Sequence, residues 1–486
     1  MNKRVLLILI ASFLILFPAI CQRDEDFNCF TILVGKNASI DGSVLLGHNE
    51  DNAGENFSDF HLVPRIEHTP GEFQVLLSGD SIAETVTTNG YFWITVSKFN
   101  AEQYLNEWGV TITSDASRSK ETNGQGRIGP VLRKIVAERA HNAREAVKIA
   151  GNLIEKYGYS SSGRIYSIAD PREAWVFEAV NGKHWIARRV PDDEVVLIPN
   201  YYVIDSVNLA DTVNFMSSPD IISYAVQQEW YDPSEGQKFN FRKAYCRQDR
   251  LYSMTNIARH WAALNILSDK QYEIYDDFPF SFKPKKKVSI QYLMNVLQNH
   301  YEGTEFEMNP SYSYGNPHNN TTTMRICSKY NTFSTVVQLR EWLPVDIGCV
   351  FWTAARHPCF QPYVPWYYGI SEIPPGFESE GYEQAMDNYL QKERDCRQLF
   401  SDAACWSYID FASKVDKDYG EQIAALKKWK RKFESDEFQM IAEQENKIIL
   451  IYKSDPDAAR KMLTDLTSLF AERALSETRK KLKEER

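Results

Sequence analysis

The chain has 486 residues, 43% hydrophobic and 13% aromatic, enough for a sizeable buried core in two or three average domains or one large domain with an appendage. Its formal net charge of -10 argues against nucleic acid as a partner, since phosphate binding relies on clustered Lys and Arg. The chain then opens with Lys3 and Arg4, an apolar run over 5–17, and Ala19-Ile20-Cys21, which has small residues where a signal peptidase reads. Residues 1–21 are therefore read as a secretory signal. The apolar run is shorter than the ~20 residues a spanning helix needs, and no later segment competes, so no stable membrane insertion is expected after signal removal. Ile20 is a poor neighbour for a lipidated cysteine, which disfavours an anchor on Cys21. The expected destination is the periplasm or the cell exterior.

Seven cysteines follow Cys21: Cys29, Cys246, Cys327, Cys349, Cys359, Cys396 and Cys405. If Cys29 is kept free, parity allows up to three bridges, and free buried cysteines are an equal alternative. "FTILV" and "SVLL" are continuous apolar runs, as in strands covered on both faces, and "KNASIDG" between them carries the turn signal Asp41-Gly42. "PVLRKIVAERA" and "NAREAVKIAGNLIEKYG" predict a helix pair. Asn142 caps the second with Glu145 three residues on, and Gly158 ends it. "EAWVFEAV" and "HWIARRV" flank Asn181-Gly182, a hairpin signal, and "EVVLIP" is a strand that delivers Asn200. A further strand pair is expected in "TFSTVVQLR" and "DIGCVFWTAA". After "PYVPWYYGISEIPPGF" the sequence turns helical and charged. In its last helix Asp455 caps, Pro456 takes the first turn, and Met462, Leu463, Leu466, Leu469 and Phe470 fall on one face.

Taken as an antiparallel hairpin with loop 37–42, the first two strands set Lys36 opposite Ser43, so paired positions sum to about 79. Cys29 then lies opposite residue 50, and directly paired side chains sit ~5 Å apart. The hairpin alone thus brings His48, Glu50 and Asp51 to Cys29. Alternation favours 48 and 50 on the cysteine's face, and a one-residue slip selects 51. A mid-chain cysteine at a buried strand beside carboxylates is a poor thiolate, because burial and negative neighbours both raise its pKa. The difficulty disappears if Cys29 becomes the mature N-terminus. A free α-amine, with a pKa of ~7.7–8.0, is then a base tethered to its own nucleophile. Residues 22–28 are accordingly read as a short propeptide.

"CFTILVGKNASIDGSVLLGHNED" resembles the start of the dipeptidase A family of N-terminal-nucleophile (Ntn) cysteine peptidases, relatives of conjugated bile acid hydrolases and penicillin V acylases. The resemblance continues through "AREAVKIAGNLIEKYG", "EAWVFEAVNGKHWIARRVPDDEVVLIPN", "VVQLREWLPVDIGCVFW" and "PYVPWYYG" into "DPDAARKMLTDL". It implies an α+β fold, a four-layer αββα Ntn-hydrolase sandwich over 29–380 with a helical C-terminal region over 381–486. It also implies autocatalytic exposure of the cysteine and hydrolysis of dipeptides. Carried over, Cys29 is the nucleophile, Asp51 holds its α-amine, and Asn200 donates to the oxyanion. His48, standing where the acylases carry an arginine, is a candidate substrate contact. A supporting arginine is expected, with Arg247 and Arg250 as candidates. Alternatives are an acyl-amide hydrolase and a non-catalytic envelope binding protein of the same fold.

Other chemistry is disfavoured. "GQGRIG" follows a polar loop, not a strand, and does not read as a dinucleotide fingerprint. There is no HExxH and no GxSxG, and the nine histidines look too scattered to build a metal site. No metal or organic cofactor is expected. The expected partners are small peptide substrates, with homo-oligomer formation left open.

Overall fold

The two N-terminal strands, β1 (Phe30–Val34) and β2 (Val44–Asp51), form an antiparallel pair in which every residue is buried, as their unbroken apolar runs require. They lie inside a six-stranded antiparallel sheet, ordered Val195–Ile198, β1, β2, Asn331–Leu339, Cys349–Ala355, Val364–Tyr367. A second, eight-stranded antiparallel sheet runs Phe215–Ser217, Trp185–Arg189, Ala174–Gly182, Tyr159–Ala169, Thr111–Ala116, Gln103–Asn106, Tyr91–Val96, Ser58–Val63. This computed structural model describes residues 28–484 apart from 53, 77, 97–101, 123, 308–314, 320–323 and 390–393. The signal at 1–21 and all of the propeptide except Asn28 lie outside the described residues.

The inner faces of the two sheets meet. Phe92 packs on Phe351 with ring centroids 5.4 Å apart, and Thr335 Oγ1 donates to Gln103 Oε1 at 2.7 Å across the interface. On the outer face of the larger sheet lie the predicted helices, Leu132–Arg139 and Ala143–Tyr157. Gly151 lets the second approach so closely that a Cβ would stand 2.2 Å from the Trp185 ring. The outer face of the smaller sheet is covered by Met254–Leu267 and Ile290–Leu297 and, beside them, by the C-terminal helices; Phe438 stacks on Trp352 at 4.6 Å. The result is the expected α+β arrangement in four αββα layers.

Local signals act as the sequence suggests, with two adjustments. Asn142 Oδ1 accepts Glu145 N–H at 2.9 Å, but the reciprocal bond of Glu145 goes to His141 N–H, one residue before the cap. Asp455 caps the Pro456–Lys483 helix through Ala458 N–H at 3.0 Å. There Leu463, Leu466 and Phe470 are buried, whereas Leu469 is 49% exposed, because the seam runs through Ala459, Leu463, Leu466, Phe470 and Ala474 and passes it by. Tyr408, Phe433, Ile441, Leu463 and Phe470 share one hydrophobic cluster with the strands, so the helical tail helps complete the sheet's core. Gly126 of the rejected glycine motif lets two backbones pass, a Cβ there falling 2.0 Å from the Tyr159 carbonyl. All seven described cysteines are buried and unbridged.

Candidate active site

The β1–β2 register pairs Phe30 with Asn49 and Thr31 with His48, which carries Cys29 opposite Glu50. From the thiol a line of polar contacts runs between the sheets. Cys29 Sγ donates to Glu50 Oε1 at 3.2 Å, and Glu50 Oε2 meets His48 Nε2 at 3.1 Å. His48 Nδ1 meets Thr31 Oγ1 at 2.7 Å, and the Thr31 hydroxyl donates to Asp115 Oδ2 at 2.7 Å. All five residues are buried. Burial first, then the charges of Glu50, Asp115 and Asp51, push the Cys29 thiol well above its ordinary pKa. In the chain with Asn28 still attached, the sulfur is therefore held as a thiol. Burial alone would also raise Glu50, yet the hydrogen bond and charge of His48, with Arg133 behind them, hold it below the ordinary carboxylate range.

His48 therefore differs from the substrate contact expected of it. Both ring nitrogens are engaged and none of its surface is exposed, so in this chain it holds Glu50 in place. Asp51 approaches the cysteine through its backbone, its N–H lying 3.5 Å from Sγ. Its carboxylate accepts from Ser328 Oγ at 2.8 Å and Asn331 Nδ2 at 2.5 Å, on the side away from Glu50, as strand alternation demands. Burial raises the Asp51 pKa well above the ordinary value, against the charge of Arg259 and the Ser328 bond.

Among the contacts described at the cysteine, the supporting arginine is Arg259. Arg247 pairs with Asp249 at the surface, and Arg250 lies in the short Gln248–Leu251 helix, its carbonyl accepting from Asn256. Arg259, on the Met254–Leu267 helix, takes the place instead. Its Nη1 donates to the carbonyls of Asn28 and Cys29, the latter at 3.0 Å. Its Nη2 donates to Asn200 Oδ1 at 2.8 Å and Asn256 Oδ1 at 2.9 Å. The signal was a lone guanidinium in the mostly apolar "NIARHWAALNIL", with Asn256 one turn before it. Asn200 is fully buried; its Nδ2 donates to the Ala116 carbonyl at 2.9 Å and keeps one N–H for another acceptor. The sequence thus brings Cys29, His48, Glu50, Asp51 and Asn200 together, but misses the part of Thr31, which lies in the hairpin itself, and misses Asp115, Arg259, Ser328 and Asn331, which chain folding sets beside it.

Asp115 gives the site a pH signature. Burial raises its carboxyl to about 7, partly offset by the charge of His48 and the Thr31 hydrogen bond. The unfolded value is ~3.9, so the folded chain keeps a proton that the unfolded chain releases. The stability this contributes is fully present below about pH 4 and is lost as pH rises through 7, to a total of roughly 4 kcal/mol. Asp115→Asn should flatten the fall of the urea midpoint between pH 5 and 8. A slope equal to wild type would contradict that assignment.

Donor atoms suited to a metal form three groups among the described residues, one of which, His318, His357 and Asp416, shares His318 with the second described below. Those of Cys29, His48 and Glu50 lie within 4.8 Å of one another but are already bonded along the line above. The second, His300, His318, Cys327 and Cys359, is a correction to the reading of the histidines as scattered: four such residues converge in one buried place.

The sequence matches the profile of Peptidase family C69 over residues 28–394, with the match beginning one residue before Cys29. The chain belongs to peptidase family C69. Similar members include a probable dipeptidase of Salmonella dublin, 28% identical over 72% of this chain and 82% of the relative. A probable dipeptidase of Latilactobacillus sakei is 28% identical over 84% and 87%, and dipeptidase A of Lactobacillus helveticus 27% over 72% and 77%. Among solved structures, penicillin V acylase from Agrobacterium tumefaciens aligns with TM-score 0.29 and 13% identity over 67% of this chain and 82% of that one. A mutant conjugated bile acid hydrolase from Clostridium perfringens aligns with TM-score 0.29 and 10% identity over 70% and 92%. These two likenesses are too loose to add to a fold that the sheets and their helical covers define. As a C69 member the protein is a peptidase, a hydrolase of amide bonds.

Proposed function

We propose that the protein is an exported dipeptidase whose nucleophile is Cys29, activated when the Asn28–Cys29 bond is cut and the α-amine of Cys29 is released. The observation that carries this reading is the state of the thiol. It sits at the head of a buried strand, kept protonated first by burial and then by the neighbouring carboxylates, and cannot turn over substrate as a thiolate until a base appears beside it. The Asn28 carbonyl, on the bond to be cut, already accepts from the Arg259 guanidinium. Attack of Sγ on that carbonyl carbon forms an S–C bond and breaks the C–N bond, with the thiol proton passing to the departing amine. Water then hydrolyses the thioester, leaving residues ending at Asn28 and a chain beginning at Cys29.

In the mature enzyme the α-amine takes the Sγ proton and the thiolate attacks the dipeptide carbonyl. The remaining N–H of Asn200 and the Arg259 guanidinium stabilise the oxyanion. The α-ammonium protonates the leaving amine, and water cleaves the thioester. Membership of family C69 and the dipeptidase names of its relatives support the substrate class; the basic, apolar and small-residue pattern of 1–21 supports export. A panel of dipeptides assayed beside a conjugated bile acid and penicillin V tests the assignment: turnover of dipeptides is expected. Hydrolysis of the acyl amides with dipeptides untouched would overturn it.

A further inference from the structure

Away from the thiol, where the smaller sheet meets the C-terminal helices, four side chains point their donor atoms at one spot. His300 follows the Ile290–Leu297 helix, His318 lies in the turn Pro317–Asn319, Cys327 precedes the Asn331–Leu339 strand, and Cys359 follows Cys349–Ala355. All are buried, and their donor atoms lie within 4.8 Å of one another. The His300 and His318 Nε2 atoms are 3.2 Å apart, and His318 Nε2 is 3.6 Å from Cys327 Sγ and 3.5 Å from Cys359 Sγ.

These separations have a simple source. A tetrahedral Zn²⁺ with Zn–N of ~2.0–2.1 Å and Zn–S of ~2.3 Å sets nitrogen atoms ~3.3 Å apart and nitrogen ~3.6 Å from sulfur. The ring orientations point the same way. His300 Nδ1 meets Glu302 Oε1 at 3.2 Å, and His318 Nδ1 meets Asp416 Oδ1 at 2.8 Å. A carboxylate beside each Nδ1 turns each Nε2 toward the spot, the orientation a ligating imidazole takes. Carboxylates behind ligating imidazoles are a common support of metal sites. Two thiolates neutralise a divalent ion, which a dry interior requires.

We propose that His300, His318, Cys327 and Cys359 bind one structural Zn²⁺ in a closed Cys₂His₂ site. All four positions are filled by protein, leaving none for water or substrate, so the ion takes no part in peptide hydrolysis. It joins four segments that sequence scanning cannot connect, since the ligands spread from 300 to 359 with no short paired motif. Through Asp416, which also accepts from His357 Nε2 at 3.3 Å, it fastens the Ala404–Lys417 helix to the sheet. It also anchors the loop in which Ser328, next to Cys327, donates to Asp51. The inference is independent of the catalytic reading, because its test reads metal and not turnover.

Full-length protein purified from zinc-containing medium without chelator should carry about one zinc per chain by elemental mass spectrometry. Zinc K-edge absorption on that wild-type material should show two sulfur and two nitrogen neighbours, a measurement that needs no variant to fold. Cys327→Ser and His300→Ala should each lower the zinc content at least five-fold. A metal-free wild-type chain, a Cys327–Cys359 disulfide in its peptide map, or a zinc shell of nitrogen and oxygen alone would overturn the proposal. So would undiminished zinc in both variants.

Discussion

Cys29→Ala should fold, remain uncut at Asn28–Cys29, and hydrolyse dipeptides roughly 10⁴-fold more slowly than wild type, or not measurably. The substitution removes one sulfur from a strand end and leaves the strands, the Glu50–His48 contact and Arg259 in place. Loss of turnover with an unchanged melting temperature would separate chemistry from folding. Cys29→Ser is the gentler companion. It keeps a nucleophile and a proton to give up, so slow processing and weak turnover are expected, because an alcohol is a poorer nucleophile at neutral pH. Wild-type turnover in either variant would remove the sulfur from the mechanism.

The second large effect belongs to Arg259. One guanidinium gathers the carbonyls of Asn28 and Cys29 and the side-chain oxygens of Asn200 and Asn256. Lysine at 259 keeps the charge but lacks the planar fork, so it cannot reach all four acceptors at once. Arg259→Lys should slow release of residues ending at Asn28 by ~10²–10³-fold, the usual loss when an oxyanion donor is removed. Following the mass of the chain against time after synthesis measures this directly, with thermal unfolding as the control for fold. Processing at the wild-type rate would show that Arg259 has only a packing role.

The parts of this protein that could be read in its sequence are those fixed by short-range geometry. A short polar loop between two apolar runs sets the register of a hairpin, and that register alone places Glu50 opposite Cys29. Asn142 and Asp455 mark helix starts because a side-chain oxygen reaches an N–H only three residues away. What sequence hides is any contact closed by the fold. Arg259 arrives from a helix 230 positions downstream of Cys29, and the two candidate arginines chosen instead lay in a more conspicuous charged stretch. Ser328 and Asn331 reach Asp51 because the strand carrying Asn331 pairs with β2, with its register shifted between Asn331 and Phe333. The four converging His and Cys residues come from four loops, brought to one spot only by the packing of helices on the sheet. His48 reads in the sequence as a candidate substrate contact because alternation fixes which face a residue takes but not whether a second sheet covers that face.

The central claim is that a sulfur and a primary amine share one terminal residue in the working enzyme. Intact mass, with N-terminal sequencing, of purified and catalytically active protein tests it most directly. The expected mature chain begins at Cys29 with a free α-amine. Active protein that still carries residues 22–28 would leave the thiol without its base and contradict the mechanism.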